Sequence, residues 1–215
     1  GYFKTLHNPN TDWCYKTEED PGLNGRSLAW PRGKTLGGSS SINGLLYVRG
    51  QKEDYDRWAQ RGNRGWSYDD VLPLFKRSEA HEFGEGPYHG GDGGLSVSLI
   101  RSKSPIAEAF IDAAVEIGVP RNEDYNGAEQ EGVSYFHQTA KGWFRCSSAR
   151  AFLNPVKSRS NLEIITHAHT EALLYDETET RRVIGVRFKR KGETQEVRLN
   201  DGGEGILSAG AIGSH

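Results

Sequence analysis

The chain has 215 residues, a formal net charge of -2 and 27 glycines, and 35% of its residues are hydrophobic. This length is enough for one large domain or two small ones, and the composition predicts a soluble, loop-rich protein. The near-neutral charge gives no support for binding to nucleic acid or to an anionic membrane surface. No apolar run approaches the roughly 20 residues that a transmembrane helix needs.

The cysteine and methionine content bears on the compartment and on completeness. Cys14 and Cys146 are too few for a disulfide framework, which favours a reducing compartment. Residues 1–4 do not resemble a signal peptide. We therefore expect a cytoplasmic location, with membrane association left open. Because the chain contains no methionine and opens in the middle of a pattern, we also expect an excerpt of a longer gene product.

The first part of the chain predicts loops and short helices. Residues 1–30 contain turn residues but no periodic element, and residues 53–60 predict a short helix. Ser67 opens a capping box at the start of a second helix, which Pro73 is expected to kink or shorten. Glycines crowd residues 84–94 and predict a loop there.

The clearest helix is predicted over residues 104–117. Ser104 is its expected N-cap, Pro105 occupies the first helical position, and Gly118 ends it. One stripe along this helix is apolar and consists of Ile106, Ala109, Phe110, Ala113, Ala114 and Ile117.

After Arg159 the pattern becomes strand-like. The turn at Lys191 and Gly192 predicts an antiparallel pairing of the strands on its two sides. Strands are predicted at residues 162–165, 172–175, 184–189, 193–199 and 206–208. The order of elements is thus loops and helices first, then a β-meander.

The segment at residues 31–44 carries the most chemical information. Gly37 and Gly38 allow the backbone to adopt positive φ and to approach a ligand closely. The serines that follow could cap a helix whose free N–H groups point at an anion. Such a turn suits a diphosphate or the edge of a flavin. A flexible linker has the same Gly-Gly-Ser-Ser composition, so this tetrapeptide alone does not decide between a ligand site and a linker.

Two nucleotide-binding motifs are excluded by spacing. Gly33-Lys34-Thr35 imitates the end of a P-loop, but that motif requires a glycine five residues before Gly33, where Leu28 stands. No G-x-G-x-x-G follows a predicted strand, so the chain has no dinucleotide fingerprint of its own.

The histidines and one basic motif leave several interpretations open. His167 and His169 share one face of a strand, but a zinc site needs three or four ligands, so we predict no metal site. His81 and His89 are expected to be solvated in the glycine-rich loop, and His137 could face a substrate pocket. Arg145, Ser147 and Ser148 could contact substrate, hold a domain interface or cap a helix.

The block around residues 33–44 resembles the first signature of the glucose-methanol-choline (GMC) oxidoreductases. The positions that meet this signature are Gly33, Lys34, Leu36, Gly37, Gly38, Ser39, Ser40, Ile42, Asn43, Tyr47, Gly50 and Asp56. Similarity to choline-dehydrogenase-like members extends over most of the chain, through residues 21–26, 55–58, 65–67, 124–127 and 145–153. Residues 206–212 resemble the strand and turn that lead into the second signature of the family.

The resemblance implies a fold and an activity. The expected fold is α/β, with part of a Rossmann-like FAD-binding domain at residues 1–50 and 158–215. Residues 51–157 would form part of an inserted α+β substrate-binding region. The implied reaction is hydride transfer from a small-molecule alcohol to FAD, as in alcohol and choline dehydrogenases. An alcohol oxidase, a hydroxynitrile lyase of the same fold and a catalytically silent flavin-binding fragment are alternatives, and the electron acceptor and oligomeric state are left open.

The resemblance also implies which residues contact FAD. Those lining the cofactor would be Gly33, Leu36, Gly37, Gly38 and Ser39, followed by Asn43, Gly44, Leu45 and Leu46 beside the diphosphate and the flavin ring. The adenosine end would be met by Thr170, Ser208, Ala209 and Gly210. The flavin is expected to be non-covalent, because Ala29-Trp30-Pro31 stands where some members carry the histidine that attaches FAD. No catalytic residue is assigned and the chain by itself is expected to be inactive, because the catalytic histidine of the family belongs to a domain that this chain does not match.

Overall fold

The computed structural model describes residues 4–178 and 182–214. The chain divides into two compact units, Gly1–Ser158 and Arg159–His215. The predicted division into residues 1–50, 51–157 and 158–215 stays a prediction. Within the described ranges, no helix combines the length and the apolar character of a bilayer-spanning segment.

The first unit is built from helices and short two-stranded sheets. Its helices are α1 (Lys52–Gln60), α2 (Tyr68–Ser78) and α3 (Pro105–Glu116). Its strands are β1 (Tyr15–Lys16), β2 (Ala29–Trp30), β3 (Glu79–His81), β4 (Leu95–Val97), β5 (Ala140–Lys141) and β6 (Phe144–Arg145). Strand β3 pairs in parallel with β4, whereas β1–β2 and β5–β6 are antiparallel pairs. Single helical turns lie at Pro21–Leu23, Gly38–Ser41 and Ala149–Leu153.

The predicted capping box begins α2. Pro73 does not shorten the helix, and the alternative that it kinks the helix stays a prediction. The Ser67 N–H donates to the Asp70 carboxylate at 3.1 Å, and the Asp70 N–H donates to Ser67 Oγ at 3.3 Å. The helix then runs through Pro73 to Ser78. Proline removes the hydrogen bond to the carbonyl four residues earlier. That carbonyl belongs to the exposed Asp69, where water can satisfy it.

Helix α3 has the predicted position, with Ser104 as N-cap and Pro105 as its first residue. Its predicted apolar stripe, however, does not form the core: Ile106 is 81% exposed and Phe110 is 72% exposed. The residue that this helix buries is Ile111. The sequence period identified the helix, but the packing of the described first unit selected a different face.

The second unit is an antiparallel meander. Strands β7 (Ala168–Tyr175), β8 (Val183–Arg190) and β9 (Glu193–Arg198) lie in that order, and a short helix α4 (Gly210–Gly213) follows. The β8–β9 turn has positive φ at Lys191 and Gly192, as the predicted hairpin requires.

Two of the predicted strands are wrong. Residues 162–165 and 206–208 are irregular, although both runs are apolar. A strand exists through ladder hydrogen bonds to a neighbour, and the described part of the second unit places no strand beside either run. The predicted strands at residues 172–175, 184–189 and 193–199 correspond to β7, β8 and β9.

Candidate functional site

The signature loop, residues 33–46, is a tight turn rather than the start of a helix. Its backbone reverses at Gly37 and Gly38, where φ is 88° and 53°. A single 3-10 turn, Gly38–Ser41, follows without a side-chain cap. The expected helix with free N–H groups facing an anion is therefore wrong, because one turn is too short to align several peptide dipoles.

The loop is closed on itself at its base. A Cβ atom on Gly33 would lie 2.2 Å from the carbonyl oxygen of Gly38, a distance that no side chain tolerates. The Gly33 N–H donates to Ser39 Oγ at 3.1 Å and holds this contact together. Glycine is thus required at position 33 by the close approach of two backbone segments.

The other side of the loop is open backbone. A Cβ atom at Gly38 or Gly44 would meet no protein atom within 4 Å. Leu36 and Leu46, near the two ends of the loop, are each 52% exposed. A flat or anionic group can therefore approach the main chain of this loop without displacing a side chain, which fits the cofactor that the signature implies.

The loop also contains a strained turn. Leu45 has φ of 70°, the left-handed conformation that side chains other than glycine rarely adopt,. Its N–H donates to Asn43 Oδ1 at 3.1 Å, and its carbonyl accepts from the Thr139 N–H at 2.8 Å. Such strain costs roughly 1–3 kcal/mol and persists only where the surroundings hold it in place.

The surroundings that hold the loop come from a distant segment. Arg145 donates to the Ser40 carbonyl at 3.0 Å and to both oxygens of Asn43. The Ser148 N–H donates to Ser40 Oγ at 2.9 Å, and the Ser148 hydroxyl donates to the Gly37 carbonyl at 3.2 Å. These residues hold the loop. The helix cap that was predicted for Ser147 or Ser148 is made by Ser147, whose Oγ accepts from the Arg150 N–H at 3.3 Å, and not by the Ser148 side chain. Local sequence gave no signal for this pairing, since the partners are more than a hundred residues apart.

The exposed Leu46 is part of the lining of an open apolar cleft of about 220 Å³. Its lining consists of Leu46, Ile100, Ala107, Phe110, Ile111, Val133, Ser134, Tyr135, Phe136 and Gln138. No charged side chain occurs in this described lining. The cleft therefore places an apolar surface directly beside one end of the signature loop.

The remaining predicted cofactor residues belong to the second unit. Thr170 lies on β7 opposite Phe188 of β8, and its side chain is exposed. Ser208 and Ala209 are exposed residues that precede α4, and Gly210 begins that helix with φ of 88°. Their contribution to a cofactor site stays a prediction.

A buried ion cluster, formed by Arg49, Glu79, His89 and Asp124, lies elsewhere in the first unit. Arg49 Nη2 donates to Glu79 Oε1, and the same oxygen accepts from the Gly90 N–H at 3.0 Å. His89 Nδ1 lies 3.1 Å from Glu79 Oε1, and its Nε2 lies 2.9 Å from Asp124. Glu79 is fully buried. The expectation that His89 is solvated is therefore wrong.

The charges in this cluster stabilise one another. Burial favours a neutral Glu79, but hydrogen bonds from His89 and Arg49 outweigh it and lower its pKa to about 2,. Burial likewise opposes charge on His89, yet its hydrogen bonds to Glu79 and Asp124 raise its pKa. Both ring nitrogens of His89 face carboxylates, so each must carry a proton to donate. The cluster thus contains two cations and two anions.

A neutral histidine chain packs against the cluster. The Phe83 N–H donates to His81 Nδ1 at 3.1 Å, so the proton of His81 is on Nε2, which faces His137 Nδ1 at 3.1 Å. His137 Nε2 in turn lies 2.9 Å from the Glu123 carbonyl. Burial and the charge of His89 lower the pKa of His81 to about 4. The expectation that His81 is solvated is therefore wrong. His137 is 2% exposed and does not face a pocket, as it was predicted that it could.

The described residues contain no group of three or more histidine, cysteine or acidic side chains arranged to hold a metal ion. In the ion cluster, the ring nitrogens of His89 are occupied by hydrogen bonds to carboxylates. A ligating imidazole needs a free lone pair. The cluster is consequently a charge-balanced element of the interior.

Known proteins provide an independent comparison. A family model described as GMC oxidoreductase matches residues 7–215. The chain is 45% identical over 202 residues to an alcohol dehydrogenase (acceptor) of Pseudomonas putida, covering 94% of this chain and 36% of that protein. It is 42% identical over 203 residues to mitochondrial choline dehydrogenase of Homo sapiens, covering 94% and 33% respectively. The chain spans about a third of the length of these curated relatives.

Solved structures give the same result for the fold. Pyridoxine 4-oxidase from Mesorbium loti superposes with a TM-score of 0.85 at 32% identity, over 92% of this chain and 38% of that one. An FAD-dependent oxidoreductase from Chaetomium thermophilum superposes with a TM-score of 0.81 at 26% identity, over 92% and 37%. The expected α/β fold is confirmed. Since the family model matches almost the whole sequence, this chain belongs to the GMC oxidoreductase family.

Proposed function

We propose that this chain forms part of an FAD-dependent oxidoreductase that acts on the CH–OH group of an alcohol. The observation that carries the proposal is the signature loop, which is closed at Gly33 and open at Gly38 and Gly44. Family membership and the two dehydrogenases among the relatives support the same reaction class. FAD, when bound, accepts the hydride that leaves the alcohol carbon.

The residues of the loop would bind and orient the cofactor. Gly37 and Gly38 would let the main chain approach it, and Asn43, Gly44 and Leu45 would follow its diphosphate and ring. The backbone at Gly38 and Gly44 has the free space that this contact requires. We propose the second-unit residues Thr170, Ser208, Ala209 and Gly210 for the adenosine end on the family pattern alone.

The apolar cleft beside Leu46 would accept the carbon skeleton of the alcohol and exclude water from the reacting carbon. Its described lining carries no charge, which suits an apolar alcohol better than an anionic one. A matched relative acts on choline by name, so a small cationic alcohol belongs among the substrates to be tested.

The proton of the alcohol hydroxyl needs a base, and the buried histidines do not provide it. His81 and His137 use their ring nitrogens in hydrogen bonds to Phe83, to each other and to Glu123. His89 is held by two carboxylates. A general base must reach the proton that it removes, so we assign none of these three residues to that role.

A flavin titration tests the proposal. The chain is purified, mixed with FAD and freed of excess, and its visible absorbance and flavin fluorescence are recorded. Retained flavin with altered fluorescence is the expected result, because a preformed loop lowers the cost of binding. A chain that stays colourless at saturating FAD would contradict a flavin site made by these residues, while family membership would still rest on the sequence match.

Substrate addition then separates the reaction classes. Anaerobic addition of a primary alcohol or of choline tests for hydride transfer. Because no base is assigned among the residues of this chain, bleaching of the oxidised flavin absorbance is expected in a longer protein that includes this chain and supplies the base. A hydroxynitrile lyase of the same fold would keep the absorbance, since it performs no net redox reaction. Reoxidation by dissolved oxygen, compared with an added artificial acceptor, distinguishes an oxidase from a dehydrogenase.

A further inference from the structure

We infer that Arg145 is a positioning residue that preforms the signature loop for the cofactor. The inference rests on the proposed function, because it assigns a task to Arg145 only if the loop binds a flavin. Arg145 lies outside the loop and would stabilise the loop conformation in a way that the loop residues themselves do not. Three sets of contacts support the inference: those of Arg145 with the loop, those within the loop and those that fix Arg145.

The guanidinium group of Arg145 joins the two turns of the loop. Nη1 donates to the Ser40 carbonyl at 3.0 Å and to Asn43 Oδ1 at 2.7 Å, and Nη2 donates to the Asn43 carbonyl at 2.6 Å. These acceptors lie at the end of the 3-10 turn and in the turn that follows it. A planar fork can satisfy all of them at once, whereas the single ammonium of a lysine cannot match that geometry.

The contact to Asn43 extends to the strained residue of the loop. Asn43 Oδ1 accepts from both Arg145 and the Leu45 N–H, the latter at 3.1 Å. Arg145 therefore fixes the orientation of the amide that holds Leu45 at φ of 70°. Leu45 leads directly into Leu46, which lines the apolar cleft. Through this chain of contacts, Arg145 sets the path of the backbone between the glycine turn and the cleft.

Arg145 is itself fixed by its neighbours. It ends strand β6, where it pairs with Ala140 of β5. The next residue, Cys146, is 4% exposed, and its N–H donates to the Thr139 carbonyl at 2.8 Å. Arg150 Nη1 donates to the carbonyl of Arg145 at 3.1 Å. An anchored backbone lets the long side chain act as a rigid strut instead of following the loop.

Ser148 provides a second link between this segment and the signature loop. Ser148 donates its N–H to Ser40 Oγ at 2.9 Å and its hydroxyl to the Gly37 carbonyl at 3.2 Å. A Cβ atom on Gly37 would approach Ala149 to 3.2 Å, so the glycine turn lies tightly against this segment. Ser148 thus joins Gly37 to Ser40 and Arg145 joins Ser40 to Asn43, while the faces of Gly38 and Gly44 stay open.

The test measures flavin affinity and loop dynamics in the full chain carrying Arg145→Met, Arg145→Lys or Ser148→Ala. Affinity is measured by titration with FAD, and amide hydrogen exchange is followed for residues 36–46 in the absence of flavin. Arg121→Ala is the matched control. It removes an arginine that contacts Glu108, Asp112 and Glu123 but does not touch the loop.

Arg145→Met is expected to weaken FAD binding by about tenfold or more, because part of the binding free energy must then be used to order the loop. Exchange in residues 36–46 should accelerate by about tenfold while the rest of the first unit keeps its protection. Arg145→Lys should recover part of both effects, and Ser148→Ala should show smaller losses. Arg121→Ala should leave flavin affinity and loop exchange unchanged.

Two outcomes would overturn the inference. One is unchanged FAD affinity and unchanged loop exchange in Arg145→Met. The other is a uniform rise in exchange over the whole first unit, which would mean that Arg145 only stabilises the fold. Failure of the unsubstituted chain to bind FAD would overturn the proposed function instead, and the exchange data would still show whether Arg145 orders the loop.

Discussion

The described part of the first unit contains two glycine-rich loops, residues 33–46 and residues 84–94, and each has both packed and open glycines, of which Gly90 and Gly44 show the contrast most clearly. In the second loop, a Cβ atom on Gly90 would lie 1.8 Å from the Lys76 carbonyl oxygen. In the signature loop, Gly44 meets no protein atom within 4 Å. The first case is a backbone packed into the interior, and the second is a backbone left open.

The polar side chains next to the two loops differ in the same way. Glu79 and His89 point inward, where the ion cluster surrounds them with opposite charge. Asn43 and Ser39 are exposed. Glycine-rich composition therefore does not distinguish a structural loop from a binding loop; what distinguishes them is whether the freed space is filled by the same chain.

Removing one charge from the ion cluster should have the largest effect. Glu79→Gln keeps the shape of the side chain but leaves Arg49 and His89 without their shared anion. We expect the free energy of unfolding to fall by about 3–5 kcal/mol, the cost of an uncompensated buried charge. Urea denaturation measures it.

The double variant Glu79→Met with Arg49→Met is the control for this charge effect. Replacing both partners with apolar side chains removes the unpaired charge, so part of the lost stability should return. A Glu79→Gln protein within about 1 kcal/mol of the unsubstituted chain would show that the cluster is not the interior element described above.

The histidine chain should make stability depend on pH. His81 has a pKa of about 4 in the folded protein and about 6.5 when unfolded. Between these values the unfolded chain binds more protons, so stability falls as the pH falls. Between about pH 6.5 and pH 4.5, the expected loss is about 2 kcal/mol from His81. Glu79 has a pKa of about 2 in the folded protein, so it contributes to the loss of stability only when the pH falls below the pKa of an unfolded glutamate.

Urea denaturation at a series of pH values, with His81→Asn as the matched variant, measures this slope. Asparagine can still accept a hydrogen bond from the Phe83 N–H but does not titrate in this range. The variant should therefore lose less stability on acidification, even if it is less stable at pH 7. The raised pKa of His89 acts in the opposite sense, since its contribution is complete below pH 6.5 and is lost as the pH rises through the folded value. Equal acid slopes for both proteins would contradict the role of His81.

Replacing an open glycine and a packed glycine with alanine should separate effects on FAD affinity from effects on the free energy of unfolding. Gly44→Ala enters open space, so we expect little change in unfolding free energy but a loss of FAD affinity of about tenfold, equivalent to about 1.4 kcal/mol. Gly90→Ala should destabilise the fold because its Cβ would overlap the Lys76 carbonyl. Denaturation and FAD titration of both variants measure the contrast. Flavin affinity that is unchanged in Gly44→Ala would remove this position from the proposed site.

The smallest effect is expected at an exposed ion pair. Arg187 on β8 donates to Glu196 on β9 at 3.0 Å, and both side chains are exposed. Arg187→Ala should change the free energy of unfolding by about 0.5 kcal/mol or less, since exposed pairs are hydrated and screened. Chemical denaturation at low and high salt measures it. A loss comparable to that of Glu79→Gln would mean that burial does not set the strength of the ion cluster.

Features encoded over a few residues were predicted from the sequence. The capping box at Ser67, the boundaries of α3 and the β8–β9 hairpin each depend on residues that are neighbours along the chain. The positive φ values at Lys191 and Gly192 are one example, because that turn is set by its own two residues. The signature spacing likewise identified the family, which the family model confirmed.

Features that depend on distant partners could not be predicted. His81 and His137 are 56 positions apart, and Arg145 and Asn43 are 102 apart. No local period links such pairs, and the histidines appeared solvated because their own loop is polar. The runs at residues 162–165 and 206–208 were predicted to be strands because their composition is apolar. The described second unit provides no neighbouring strand for either run, and composition alone does not reveal that.

The family, the tight turn at Gly37 and Gly38 and most of the regular elements could be predicted without coordinates, because they follow from residue type and short-range spacing. Three properties became known only from the folded chain: which glycines are packed and which are open, which face of α3 is buried, and which groups the charged side chains of Arg49 and Arg145 contact. Those properties depend on what lies opposite each residue in space. Burial and desolvation, which set the energies involved, are defined only once the chain has folded.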